Sequence, residues 1–323
     1  MRHRILTVIQ IAIIPIIVGA ILIMVFSFVN TDNDSEPAFH EKFQRDYSIY
    51  SIQIPDTMDF AGERVPLEYF DVREALDREL LVNTYWQSHT LLLIKRANRY
   101  FPRIEKILEE NNVPEDFKYI SLIESELLHA VSPSGAVGFW QFLEGTARDY
   151  GLEVNREIDE RYNIDKATRA AGEFLKDAHD KFGSWTMAAA SYNSGRSALQ
   201  EQVNIQKTDN YYDLLLNTET GRYVFRILAV KLILENHEKY GFNLNEESLY
   251  YPIPTYKVKV DTSVNNFADF AAQYSISYKV LKIFNPWLRK PYLHNKQGKT
   301  YYIKIPEEGY RNFQKIFSEH SSE

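Results

Sequence analysis

Glu124 and Glu126 stand two residues apart in IESELLHAVSPSGAVGFWQF, residues 123 to 142, just ahead of a stretch short of bulky side chains. A carboxyl group can lend a proton to a leaving oxygen and take one back, so the first question is whether both acids can reach one substrate atom. On an α-helix, Phe117, Ile120, Glu124 and Leu127 recur at steps of three and four residues and share a face. Glu126 falls about 200° around the axis at ~100° per residue, toward solvent. The two acids cannot converge, and Glu124 alone is set among apolar neighbours. Burial strips a carboxylate of its hydration and raises its pKa, which suits a general acid. For the helix taken by itself, the bland alternative is a buried glutamate satisfied by a hydrogen bond or an arginine.

The residues that follow supply a wall for a cleft. Pro133, Ser134 and Gly135 are turn formers, and Gly138 permits close approach to the backbone. Phe139 and Trp140 read as core, and Gln141 by default as a capping or surface amide. In MAAASYNSG, residues 187–195, a run of small side chains lets one helix approach another before Tyr192 and Asn193. Tyr192 can equally be a core aromatic, and Asn193 with Gly195 a helix C-terminal cap.

Three kinds of segment must position these groups. Residues 5–29 carry no charge, follow Arg2, His3 and Arg4, and precede the acidic TDNDSE. As a helix at ~1.5 Å per residue they span roughly 37 Å, enough for a hydrocarbon core of ~30 Å. We therefore expect a transmembrane anchor at 1–30 with its amino end in the cytoplasm, a cleaved signal peptide being the alternative. Residues 31–70 read as a linker and arm, with YSIYSIQI as a short alternating stretch. Residues 71–240 read as one all-α domain. It begins with a nearly unbroken helical pattern to residue 113, broken near Pro102, and Pro114 then opens the helix PEDFKYISLIESELL. Further helices are expected at 145–150, 165–182, 184–192 and 218–235. Residues 250–310 form a small β-α-α-β module, with YKVKV and YYIKIP alternating like strands around two helical stretches.

The bulk composition narrows the chemistry. The chain has 323 residues, a net charge of -7 and no cysteine. Nothing favours a nucleic acid as partner, and disulfides, thiolate metal sites and a cysteine nucleophile are excluded. His129 and His179 have no partner at ligand spacing, and no glycine-rich phosphate loop is present, so neither a metal nor a cofactor is expected.

In order, IES at 123–125, SPSGAVGFWQF at 132–142, TARDYGL at 146–152, DER at 159–161, AAGEFL at 170–175, AAASYNSG at 188–195 and ETGRYVFRILA at 219–229 resemble the soluble-lytic-transglycosylase family, above all its membrane-bound type D branch. That resemblance implies a mainly α, lysozyme-like helical domain in which Glu124 is the single catalytic acid and base. Ser132, Gln141, Tyr192 and Asn193 fall on positions that line the family's saccharide groove. Asp159 and Arg161 of DER read as structural, an ion pair. The interval from Glu124 to Ser132 is one residue shorter than in the family's soluble prototype. The module at 250–310 resembles a divergent LysM domain, with Asn285 and Pro286 in the usual place but VDTSVNN where the family has a Gly-Asp-Thr turn.

The implied substrate is peptidoglycan, cut between N-acetylmuramic acid and N-acetylglucosamine to leave 1,6-anhydro products, with the chain anchored in the inner membrane and facing the periplasm. Two alternatives remain open from the residues. A lysozyme-like hydrolase would use a second carboxylate ~5–9.5 Å away, for which Glu144 and Asp149 are nearby in sequence. A wall-binding protein with an inactive site would use none.

Overall fold

The computed structural model describes residue 41 and residues 49–320. The apolar run at 5–29 lies outside them, and among the described residues no helix is long and apolar enough to cross a membrane. Residues 49–51 are exposed and irregular. From Ile52 onward the chain is one compact unit.

This unit opens with a hairpin, β1 (Asp59–Phe60) antiparallel to β2 (Glu63–Arg64). The alternating YSIYSIQI gives no strand over its described residues; Ile52 and Ile54 instead tuck half-buried against the core. The helical body follows: α1 (Phe70–Tyr85), α2 (Gln87–Glu110), α3 (Lys118–Ser125), α4 (Glu144–Asp149), α5 (Ile164–Phe182), α6 (Trp185–Ser194), α7 (Arg196–Gln206) and α8 (Thr218–Glu235). α8 is the central strut, packed on α1, α3 and α6, while α2 packs on α3 and α5. Tyr223, Val224, Ile227, Leu228 and Ile233 of α8 are almost wholly buried, so this helix is apolar nearly all round.

Two expectations are corrected here. The first long helical pattern breaks at Trp86, and α2 runs through Pro102 without interruption. A proline inside a helix costs about 3 kcal/mol, and the buried face formed by Leu93, Ile94, Ala97, Phe101, Ile104 and Leu108 offsets it. The helix opened near Pro114 begins as a single 3-10 turn at Glu115–Phe117 and ends at Ser125, not at residue 128. Glu126 and Leu127 both take left-handed backbone, with φ of 54° and 55°. Glu126 is therefore a C-cap residue rather than the solvent face of a longer helix.

The hairpin is pinned to the body by charge. The Glu63 carboxylate accepts hydrogen bonds from Trp185 N at 2.6 Å, Thr186 N at 2.8 Å and the hydroxyls of Ser184 and Thr186, closing the N-terminus of α6. Burial alone would raise its pKa, but these donors hold it below the usual carboxylate range. On the other side Lys231 of α8 reaches Asp116 at 2.6 Å, and Asp116 accepts from Ala61 N at 2.7 Å.

The C-terminal module has β3 (Thr255–Val260) antiparallel to β4 (Tyr301–Pro306), with α9 (Phe267–Ala272) and α10 (Tyr278–Phe284) between them, and a last helix, α11 (Phe313–His320). It shares an apolar cluster with the body, in which Val137, Ile158 and Tyr162 meet Trp287, Leu288 and Ile303. Backbone bonds cross the same seam: Asp159 N to Trp287 O at 2.9 Å and Arg289 N to Glu157 O at 2.7 Å.

Candidate active site

α3 delivers Glu124 on its last turn, half-buried, and α8 delivers the group that meets it. Tyr223 Oη donates to Glu124 Oε1 at 2.5 Å. Burial pushes the Glu124 carboxyl above its ordinary value of 4.5; the Tyr223 hydrogen bond and the Arg226 charge pull down, and the Glu219 charge pushes up again. Arg226 does not form a salt bridge with this carboxylate; its Nη2 donates to the Ile123 carbonyl at 3.0 Å. One oxygen of Glu124 is thus oriented by a phenol, and the carboxyl group is not neutralised.

Tyr192, on α6, donates through its hydroxyl to Trp140 O at 2.6 Å. Its pKa is driven up by burial and further by the Glu124 charge, and that of Tyr223 is raised by the same two causes. Both phenols therefore stay protonated donors beside the acid. Asn193 is tied to the start of α8: its Oδ1 accepts from Thr220 Oγ1 at 2.9 Å, and its Nδ2 donates to Glu219 Oε1 at 3.3 Å. Gly195 is the C-cap of α6, with φ of 81°.

The loop 130–142 closes over this region. Gln141 has left-handed backbone, φ 47°, and its Nε2 donates to Gly138 O at 2.8 Å and Ala130 O at 3.2 Å, so it braces the loop. Ser132 works within its own turn, its hydroxyl accepting from Ala136 N at 3.0 Å and lying 2.9 Å from the Ser134 hydroxyl. The structure brings Tyr192 and Asn193 into one hydrogen-bonded and electrostatic group with Glu124, and leaves Ser132 and Gln141 as loop braces. Gly138 is required by packing: its φ is +81°, and a Cβ there would sit 2.1 Å from the Arg161 carbonyl oxygen. Arg161 in turn is held by Asp159, Nε to Oδ1 at 2.9 Å and Nη2 to Oδ2 at 2.8 Å, and its Nη1 supports the Gly135 and Phe142 carbonyls at 3.2 Å each. The ion pair is a scaffold for the loop.

Among the described residues no group of three His, Asp or Glu side chains could hold a metal ion. Residues 102–215 match the family described as the Transglycosylase SLT domain, and residues 256–309 match the Soluble lytic transglycosylase C-terminal LysM-like domain. This chain carries a transglycosylase SLT domain. Glu124, the loop 130–142, Tyr192 and Asn193 all fall inside the matched SLT segment, whereas Tyr223 lies just beyond it.

The chain is similar to the membrane-bound lytic murein transglycosylase D of Escherichia coli strain K12, 28% identical over 239 residues, which are 71% of this chain and 51% of that protein. The protein of the same description from Escherichia coli strain CFT073 matches with the same figures. A putative tributyltin chloride resistance protein of an Alteromonas strain, M-1, is 30% identical over 129 residues, 39% of this chain and 62% of that protein. The chain spans about half the length of the two transglycosylase D relatives.

The site also has groups, just beyond the matched SLT segment, that the sequence pattern did not single out. Glu219, Tyr223 and Arg226 recur at steps of four and three along α8 and face α3 together. Their signal was available: polar residues at helical spacing in an otherwise buried run. Glu126 is the other revision. It forms an ion pair with Arg96 at 3.0 Å and approaches His89 at 3.6 Å, in a cavity of about 470 Å³ walled also by Trp86, Arg222 and Arg226.

Proposed function

We propose that this chain is a peptidoglycan lytic transglycosylase whose single proton-transfer group is Glu124. The observation that carries the reading is a half-buried carboxyl on the last turn of α3, raised in pKa and hydrogen-bonded by Tyr223 without an ion-pair partner. Tyr223 occupies Oε1, so the transferable proton sits on Oε2. That proton goes to the glycosidic oxygen between N-acetylmuramic acid and N-acetylglucosamine as the bond to the anomeric carbon breaks. The substrate's N-acetyl group shields the positive charge developing there. The muramoyl 6-hydroxyl then attacks the same carbon, and its proton returns to Glu124, leaving a 1,6-anhydro ring and a regenerated acid. No water is consumed. Tyr192 and Asn193 hold the saccharide beside the acid, and Ser132 with Gln141 shapes the groove through the loop.

A hydrolytic course needs a second carboxylate at the site. Glu144 is taken up by an exposed pair with Arg148 at 2.6 Å. Glu219, whose charge reaches Glu124, is the one observation in favour of hydrolysis. Digestion of purified sacculi by the protein and by Glu124→Gln, with product masses read out, separates the cases. Anhydro-muropeptides from the parent and none from the variant support the lyase; reducing ends show a hydrolase; unchanged activity in the variant removes Glu124 from the chemistry.

The same reading places the protein at the cell envelope, held there by the apolar run at 5–29. The LysM-like module adds affinity for the glycan polymer, raising the effective concentration of the SLT domain on an insoluble substrate.

A further inference from the structure

A second cavity, of about 470 Å³, lies where the helical body meets the C-terminal module. Its size falls within the ~300–1,000 Å³ typical of small-ligand sites. Tyr100, Phe139, Trp287 and Ile253 give it apolar walls. Its charged residues are unbalanced, because Arg99, Arg103, Lys257 and Lys304 all line it and Asp165 is their only carboxylate. Arg103 holds Asp165 with two bonds of 3.0 Å, Lys304 adds a third at 3.0 Å, and Lys257 stands 3.5 Å away. Arg99 is fixed from outside by the Tyr251 carbonyl at 3.0 Å and stands over the Tyr250 ring.

Like charges gathered in a partly desolvated space repel, and a carboxylate entering it would relieve them. Lys304 registers the strain: burial lowers its pKa, and the Arg103 and Lys257 charges lower it further against the pull of Asp165.

We propose that this cavity binds a short peptide bearing free carboxylates, the chemistry of the peptide stem on a murein strand. The proposal rests on the murein reading above. In an intact strand the N-acetylated sugars carry no charge, because the lactyl carboxyl of N-acetylmuramic acid is tied up in the amide to the stem. The stem, by contrast, offers free carboxylates joined by short aliphatic units that suit the apolar walls.

The test is calorimetric titration of the full chain with the free stem peptide, the same peptide with its carboxylates amidated, and inorganic phosphate. Lys257→Glu is the informative variant, since that side chain is 53% exposed and reverses one charge of the cavity. Lys257→Met is its partner, and thermal unfolding verifies that both fold. Saturable binding is expected, weakened about tenfold by amidation and about tenfold by Lys257→Glu, less by Lys257→Met, with phosphate much weaker. No binding of the stem, equal binding of the amidated form, indifference to Lys257→Glu, or phosphate binding as tightly would each overturn the assignment. Cleavage of peptide-free glycan by the same preparation keeps the two readings apart. Cleavage without stem binding sinks the cavity proposal alone, and stem binding without cleavage sinks the lyase alone.

Discussion

Glu124, half-buried, and Asp165, buried, are acids at helix ends of one helical body, and their surroundings drive them in opposite directions. Glu124 meets a phenol and a diffuse field, and burial wins, so its pKa is raised. Asp165 meets Arg103 and Lys304 directly; burial alone would raise its pKa, but those partners hold it well below the usual range. The first is biased toward its protonated form. The second is a permanent anion that organises a cluster of cations. Burial by itself assigns neither role; the partner does.

The widest gap between the two should appear on exchanging each for its amide. Glu124→Gln is expected to lower the rate of anhydro-muropeptide release by about 10²–10⁴-fold, the range for loss of a positioned acid-base group, with the folded state preserved. Stability should move with pH as well. A carboxyl whose pKa is raised on folding binds more protons folded than unfolded, so its contribution falls as pH climbs from its ordinary value of 4.5 through the folded pKa. Unfolding midpoints of Glu124→Gln should therefore gain on the parent toward neutral pH and match it in acid. A variant that loses ground toward neutrality would mean the acid is ion-paired.

Asp165→Asn should show the reverse. Removing the anion strands Arg103, Lys304 and Lys257, a loss of about 3–5 kcal/mol for a broken buried pair, read in chemical denaturation. Because the folded pKa is depressed, the parent's advantage is complete above the ordinary value of 3.8 and declines as pH falls below it. An Asp165→Asn protein as stable as the parent at pH 7 would show the cation cluster to be slack.

Gly138→Ala attacks the loop that Ser125, beside Glu124, grips at Phe139. The added Cβ meets the Arg161 carbonyl in a left-handed backbone, and a cost of about 1–3 kcal/mol in unfolding free energy is expected. A neutral result would show the loop to be freely yielding. Tyr223→Phe is the mildest change. It deletes one hydrogen bond worth ~0.5–1.5 kcal/mol, about two- to tenfold in rate, and frees the Glu124 pKa to rise, so the alkaline limb of the pH–rate profile should shift upward. A limb that stays in place would remove Tyr223 from the titration.

The inward placement of Glu124 was legible because it is a local property: Phe117, Ile120 and Glu124 share a helix face whatever lies elsewhere. The β-α-α-β order and the span of α8 were legible for the same reason. Leu127 was misassigned to that face because two consecutive left-handed residues carry no marker such as glycine. Pro102 was misread because the packing that offsets it lies in other helices. Tyr223 stands 99 residues from Glu124, and Lys304 stands 139 from Asp165. No pattern along the chain brings such partners together; only the packed body does.

Phe139 belongs to both regions at once. Its carbonyl is gripped by the Ser125 hydroxyl, one residue from Glu124, while its ring lines the cationic cavity between His129 and Tyr100. One residue thus ties the helix that carries Glu124 to the wall of the cationic cavity. Neither compartment can be re-engineered independently, and a chimera that swaps the C-terminal module should carry residues 129–142 with it.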